Sequence, residues 1–139
     1  MIYVFITLIL IAADQYTKYL AANNLMENSI DIFNWLKLTY VENSGAAFGM
    51  LAGKQTFFII LTAAVLVVFS AYVINHRFEF NTLEKIALTL FLSGAVGNFI
   101  DRLMNAYVID FISVRLFNVY DFPVFNLADC YISVAAVLF

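Results

Sequence analysis

Three short stretches decide how this chain folds: Gly97-Asn98-Phe99-Ile100-Asp101-Arg102, Val108-Ile109-Asp110-Phe111 and Phe125-Asn126-Leu127-Ala128-Asp129. The first closes a long apolar run, and the last lies a few residues into the next one. Together they set Asp101, Asp110, Asp129, Arg102, Asn98 and Asn126 in or beside segments that otherwise read as lipid-soluble. Ionisable groups in such places are costly and are functional candidates for that reason. The rest of the composition agrees with a membrane setting. Of 139 residues 64% are hydrophobic and 12% are charged, with a mean hydropathy of +0.90. A soluble domain carries about 25% charged residues. The expected class is a mainly α polytopic membrane protein forming one domain, residues 1–139.

Working outward, the apolar runs predict four transmembrane helices over about residues 2–22, 56–74, 83–103 and 123–139. The first run resembles a signal peptide in its opening dozen residues, with Ala12-Ala13 as a possible cleavage site. It lacks a basic start and continues to Ala22, so a retained helix is expected. Asp14 and Lys18 lie four apart on one face near its exit. They are either an ion pair snorkelling to the interface or part of a structured site. The second run has no charge and reads as a lipid-facing strut. In the third, Ser93-Gly94-Ala95-Val96-Gly97 permits close helix approach. Asn98, Asp101 and Arg102 follow at i, i+3 and i+4, with Arg102 expected to pair with Asp101. Pro123 suits the first turn of the last helix. That run is short for a crossing and no basic tail follows Phe139, so a few further C-terminal residues are expected.

The loops, about residues 23–54 and 104–122, carry structure of their own. Phe33 to Val41 alternates in part, as a strand does. Asn43-Ser44-Gly45 marks a turn. Val108 to Val114 is β-branched and aromatic, so a short strand holding Asp110 is expected. Four spans alternate in direction. The exits of spans one and three, the entry of span four and both loops then share one side. Nearly every membrane-level polar residue falls in that layer. Lys37, Lys54 and Arg115 on this side, with Arg102 at the helix end, against Arg77, Lys85 and the N-terminal amine on the other do not decide the orientation.

Two carboxylates within reach of each other share a proton, and one pKa rises above the other. The ionised partner takes a proton from water while the protonated one polarises a carbonyl. Such a pair hydrolyses an amide with neither metal nor covalent intermediate, and Asp110 with Asp129 is the best pair. A serine or cysteine nucleophile is disfavoured, because the single His76 sits in a loop. Cys130 would point about 100° from Asp129 on a helix and reads as a small buried hydrophobe. One cysteine and one histidine give no basis for a disulfide or a zinc site. The scattered basic residues and net charge of -3 give no nucleic-acid surface.

Five segments in order resemble the bacterial lipoprotein signal peptidase family, also called signal peptidase II. They are Asp14-Gln15-Tyr16-Thr17-Lys18, Glu42-Asn43-Ser44-Gly45-Ala46-Ala47-Phe48-Gly49, and the three quoted at the outset. The resemblance implies an intramembrane aspartic endopeptidase without a cofactor, four helices and a small extracytoplasmic β-rich cradle. The substrate would be a diacylglyceryl-modified prolipoprotein, cut before its lipidated cysteine. By this likeness Asp110 and Asp129 are the catalytic pair. Asn43, Gly45, Asn98, Asp101, Arg102 and Asn126 order the site and contact substrate, and Asp14 and Lys18 support it. The likeness also implies a multi-pass protein of the bacterial cytoplasmic (inner) membrane, its site facing the extracytoplasmic side. Its partners would be substrates and membrane lipids, with the chain acting as a monomer. The alternative is a small proton-coupled transporter or channel subunit, in which acids form a relay across the bilayer.

Overall fold

The computed structural model describes residues 2–45, 54–76, 78–117 and 119–139. The Ala46-Ala47-Phe48-Gly49 part of the second motif, and Arg77, lie outside the described residues. Three helices are long and apolar enough to cross a membrane: α1 (Ile2–Asn24), α2 (Gln55–Asn75) and α3 (Thr82–Asn105). Their 23, 21 and 24 residues rise about 1.5 Å each, enough for a hydrocarbon core about 30 Å thick. The fourth helix, α4, runs only from Leu127 to Leu138. Its 12 residues span about 18 Å, and it starts four residues later than the run expected over 123–139. Pro123 is not in its first turn. The chain stays extended from Pro123 because Phe125 is held to Ile112 of the neighbouring strand, N–H to carbonyl, at 3.0 Å. The helix begins only after Asn126, whose side chain caps it.

The two loops form one four-stranded antiparallel sheet in the order β1 (Ile30–Phe33), β2 (Leu36–Asn43), β3 (Val108–Leu116), β4 (Tyr120–Asp121). The alternating residues Leu36 to Tyr40 form the strand β2, as expected, and a turn at Asn34-Trp35 pairs it with β1. In β3 the first four residues, Val108 to Phe111, are all buried. Ile109 and Phe111 pack with Ala21 and Leu25 from the end of α1. Asp110 alternates to the opposite face, and Val41 of β2 stands across from it.

Small residues set how closely the helices pack. A Cβ on Gly94 would collide with the Ala128 carbonyl of α4, and one on Gly97 would sit 2.5 Å from Asp14 Oδ2 of α1. Glycine at these two places lets α3 carry polar groups against both neighbours. By contrast, among the described residues α2 packs mainly on α3, through contacts such as Phe69 on Phe91. No residue of its most apolar stretch is buried, and its mean hydropathy is 2.7. It is the apolar strut that its composition predicts.

Candidate active site

The polar layer is built from four elements. Lys18 of α1, only 1% exposed, donates to Asp14 Oδ2 and Asp101 Oδ2, each at 2.9 Å, and to Asn98 Oδ1, also at 2.9 Å. The pair does not snorkel; both Asp14 and Lys18 are inside the protein. Asp14 Oδ1 accepts the Ala128 N–H at 2.9 Å, a first-turn amide of α4 that has no partner within its own helix. Asp101 Oδ2 accepts the Ile109 N–H at 3.1 Å, which ties α3 to β3. Burying these charges is costly. The cost is offset because every buried side-chain polar atom among the described residues has a hydrogen-bond partner.

Asp101 is therefore the partner of Lys18, which corrects the expected pairing with Arg102. The side chains of neighbouring helical residues point about 100° apart, and Arg102 turns the other way. Its guanidinium lies 5.4 Å from the centre of the Phe58 ring in α2 and reaches the Asn98 carbonyl at 3.4 Å.

On this base stand the two remaining acids. Asp110 is 2% exposed. Its Oδ1 accepts the Asn126 amide at 2.7 Å, and its Oδ2 accepts the Asn43 amide at 2.9 Å. Asn43 Oδ1 in turn accepts the Gly45 N–H at 3.1 Å, which closes the turn after β2. Asp129 is half-buried. Its Oδ1 accepts the Asn98 amide at 2.8 Å, and its Oδ2 accepts the Asn126 N–H at 3.2 Å. Asn126 Oδ1 accepts the Asp129 N–H at 2.9 Å, completing a capping box. Burial pushes the Asp110 carboxyl up to about 6, against the N–H bonds from Asn43 and Asn126, and the Asp129 charge adds to the rise.

Both carboxyl groups line one cavity of about 580 Å³. Asn43, Gly45, Asn98 and Arg102 line it too, and its apolar wall includes Phe122, Phe125 and Ile132. A smaller cleft of about 230 Å³ shares Asp110, Asn43 and Gly45 with it. Two acids, one of them readily protonated, thus face a largely apolar chamber where solvent competition is weak. That arrangement can activate water against a carbonyl.

The sequence model of the family described as signal peptidase (SPase) II matches residues 6–139. The chain belongs to the signal peptidase II family. A lipoprotein signal peptidase of Staphylococcus aureus (strain bovine RF122 / ET3-1) is 37% identical over 137 residues, covering 97% of this chain and 83% of that protein. Its counterpart in strain Newman is 36% identical over the same length. Two solved structures, each described as a bacterial membrane enzyme obtained by the in meso method, superpose with TM-scores of 0.88 and 0.85. Both are 36% identical and cover 98% of this chain, with 83% and 88% of their own chains covered.

In this signal peptidase II chain, all ten residues singled out from the sequence meet in the polar layer or at its cavity. Asp14, Lys18 and Asp101 form the charged floor, and Arg102 stands at the rim. Gln15 was missed. Its amide bridges Asp101 Oδ1 at 2.9 Å, the Gly97 carbonyl at 3.1 Å and Asp14 Oδ2 at 3.3 Å. Its only sequence signal is its place beside Asp14 in the first motif. Cys130 and Ser133, set aside as nucleophiles, nonetheless line the cavity. Cys130 is half-buried rather than buried and shares the cavity lining with Asp129.

Proposed function

We propose that this chain removes the signal peptide from diacylglyceryl-modified prolipoproteins, cutting before the lipidated cysteine, with Asp110 and Asp129 as the catalytic pair. The observation that carries the reading is that these two acids line one cavity, each held by a carboxamide N–H, in a chain of the signal peptidase II family. Water between the two carboxyl groups attacks the scissile carbonyl carbon. The Asp129 carboxylate takes a proton from that water as the new C–O bond forms. The Asp110 carboxyl, its affinity for a proton raised by burial, gives its proton to the carbonyl oxygen. The tetrahedral species then collapses. The C–N bond breaks, the departing amine takes the proton held by Asp129, and Asp110 recovers one from a hydroxyl of the new carboxylic acid.

Asn98, Asn126 and Asn43 aim the two acids. Arg102 and Gly45 border the substrate, and Asp14, Lys18 and Asp101 hold the floor. The apolar wall suits acyl chains and signal-helix side chains that arrive by lateral diffusion. We place the protein in the bacterial cytoplasmic membrane with this cavity outward and the chain acting as a monomer. The four-span topology stays part of the proposal through α4, which is apolar but short. A proton-coupled transporter finds no support: α2 has no Asp, Glu, His, Lys or Arg from Thr56 to Ile74, and the family is a peptidase.

The test is cleavage of a synthetic diacylglyceryl prolipoprotein by detergent-purified protein, read by mass spectrometry. Release of a peptide ending just before the modified cysteine is expected. Intact precursor with folded enzyme, or equal cutting of an unlipidated precursor, would overturn the assignment.

A further inference from the structure

Lys18 touches neither the cavity nor Asp110 nor Asp129, yet three of its contacts exhaust its hydrogens. An ammonium group donates and never accepts. The Asn98 atom that faces it must therefore be the carbonyl oxygen, and this leaves the Asn98 nitrogen to face Asp129 Oδ1 at 2.8 Å. We infer that Lys18 is a positioning residue that sets the direction of the Asn98 carboxamide and thereby keeps an N–H aimed at Asp129. The inference rests on the peptidase reading only for its kinetic consequence.

The surroundings say what happens without that charge. Asp14 Oδ2 and Asp101 Oδ2, each 2.9 Å from the Lys18 nitrogen, are both acceptors. With Lys18 neutralised they draw the Asn98 nitrogen toward themselves. The Asn98 oxygen then turns onto Asp129 Oδ1, acceptor against acceptor. Asn126 behaves differently. Its oxygen accepts the Asp129 N–H at 2.9 Å, so the backbone of α4 fixes its direction without help from Lys18. The Asn98 oxygen takes two N–H donors, the Lys18 ammonium at 2.9 Å and the Asn126 nitrogen at 3.1 Å, and Lys18 supplies the shorter, charge-assisted bond that outweighs the pull of the two acids.

The experiment compares the parent protein with Lys18→Met and Lys18→Arg, using side-chain amide NMR in detergent and cleavage kinetics on a diacylglyceryl lipopeptide. In the parent, the Asn98 amide protons should show cross-relaxation with the Asp129 β-protons. Lys18→Met should lose that signal while the Asn126 amide keeps its contacts to β3. Its kcat should fall at least tenfold with KM within twofold, because Lys18 does not line the cavity. Lys18→Arg keeps a donor-only group and should keep the Asn98 signal. Lys18→Met with the Asn98 signal intact would overturn the inference, as would folded Lys18→Arg without it. If Lys18→Met does not fold, the parent and Lys18→Arg spectra decide alone. A parent that leaves the lipopeptide uncut would sink the peptidase reading instead, and the spectra would still report the amide direction.

Discussion

Two ion-pair sites in this molecule have similar geometry and opposite consequences. Lys18 sits between Asp14 and Asp101 at 2.9 Å from each, with side chains no more than 2% exposed. Arg115 holds Asp121 at 2.6 and 3.2 Å through two nitrogens, with side chains 54% and 66% exposed. By distance the second is the better pair. Water around Arg115 and Asp121 screens the attraction and can replace either partner. Around Lys18 there is no such replacement, so removing one member leaves a bare charge in a medium that penalises it. The floor of the candidate site is thus a place where four elements must agree, α1, α3, β3 and α4, while the outer pair decorates the β3–β4 hairpin.

The largest effect should come from the acids that stand on that floor. Asp110→Asn and Asp129→Asn should each lower kcat by about 10²–10⁴-fold or more, measured on the lipidated precursor with folding checked by circular dichroism. Near-normal turnover by either variant would remove the catalytic pair from the comparison. Next, Asp14→Asn should destabilise the protein by about 3–5 kcal/mol, seen as a large drop in melting temperature in detergent. Both Asp14 oxygens accept hydrogens, so the asparagine nitrogen meets a donor either way, the Lys18 ammonium or the Ala128 N–H. A drop no greater than that of an exposed pair would mean that burial does not separate the two sites.

A third outcome concerns pH. The Asp110 carboxyl is raised from 3.8 to about 6 in the folded protein. A raised acid binds its proton more tightly when folded, so its contribution is most favourable at low pH and is lost as pH rises from about 4 through about 6. The loss amounts to about 2–3 kcal/mol. Asp110→Asn removes that dependence. Its melting temperature relative to the parent should therefore improve between pH 4.5 and pH 7.5, and a constant difference would contradict the burial of this acid. Arg102→Ala should cost only about 0.5–1 kcal/mol through the lost contact with Phe58, because Asp101 keeps Lys18. A loss as large as that of Asp14→Asn would restore the Arg102–Asp101 pairing. Smallest of all, Arg115→Ala should leave melting temperature and cleavage unchanged.

Much of this was legible along the chain. The long apolar runs marked three helices, because a stretch of about 20 mostly apolar residues has few alternatives. β-branched and aromatic content marked β3, and the polar residues at run ends marked the layer. The start of α4 was less legible. Pro123 is a fair helix opener, yet the hydrogen bonds of Phe125 to β3 hold the chain extended until Asn126. The Asn-x-x-Asp spacing of Asn126 and Asp129 was the better signal, since it is the spacing of a capping box. Gln15 carried no mark that separates a bridging amide from a surface one.

Composition and spacing by themselves determined that acids and carboxamides would gather at one end of apolar helices, because a membrane segment cannot leave them elsewhere at tolerable cost. Only the tertiary structure decided who pairs with whom. Asp101 chooses Lys18 over its own neighbour Arg102, and Asn98 turns its nitrogen to Asp129. Both outcomes follow from the direction in which a helix aims each side chain, and from which donors other elements bring within 3 Å. No one segment contains that information.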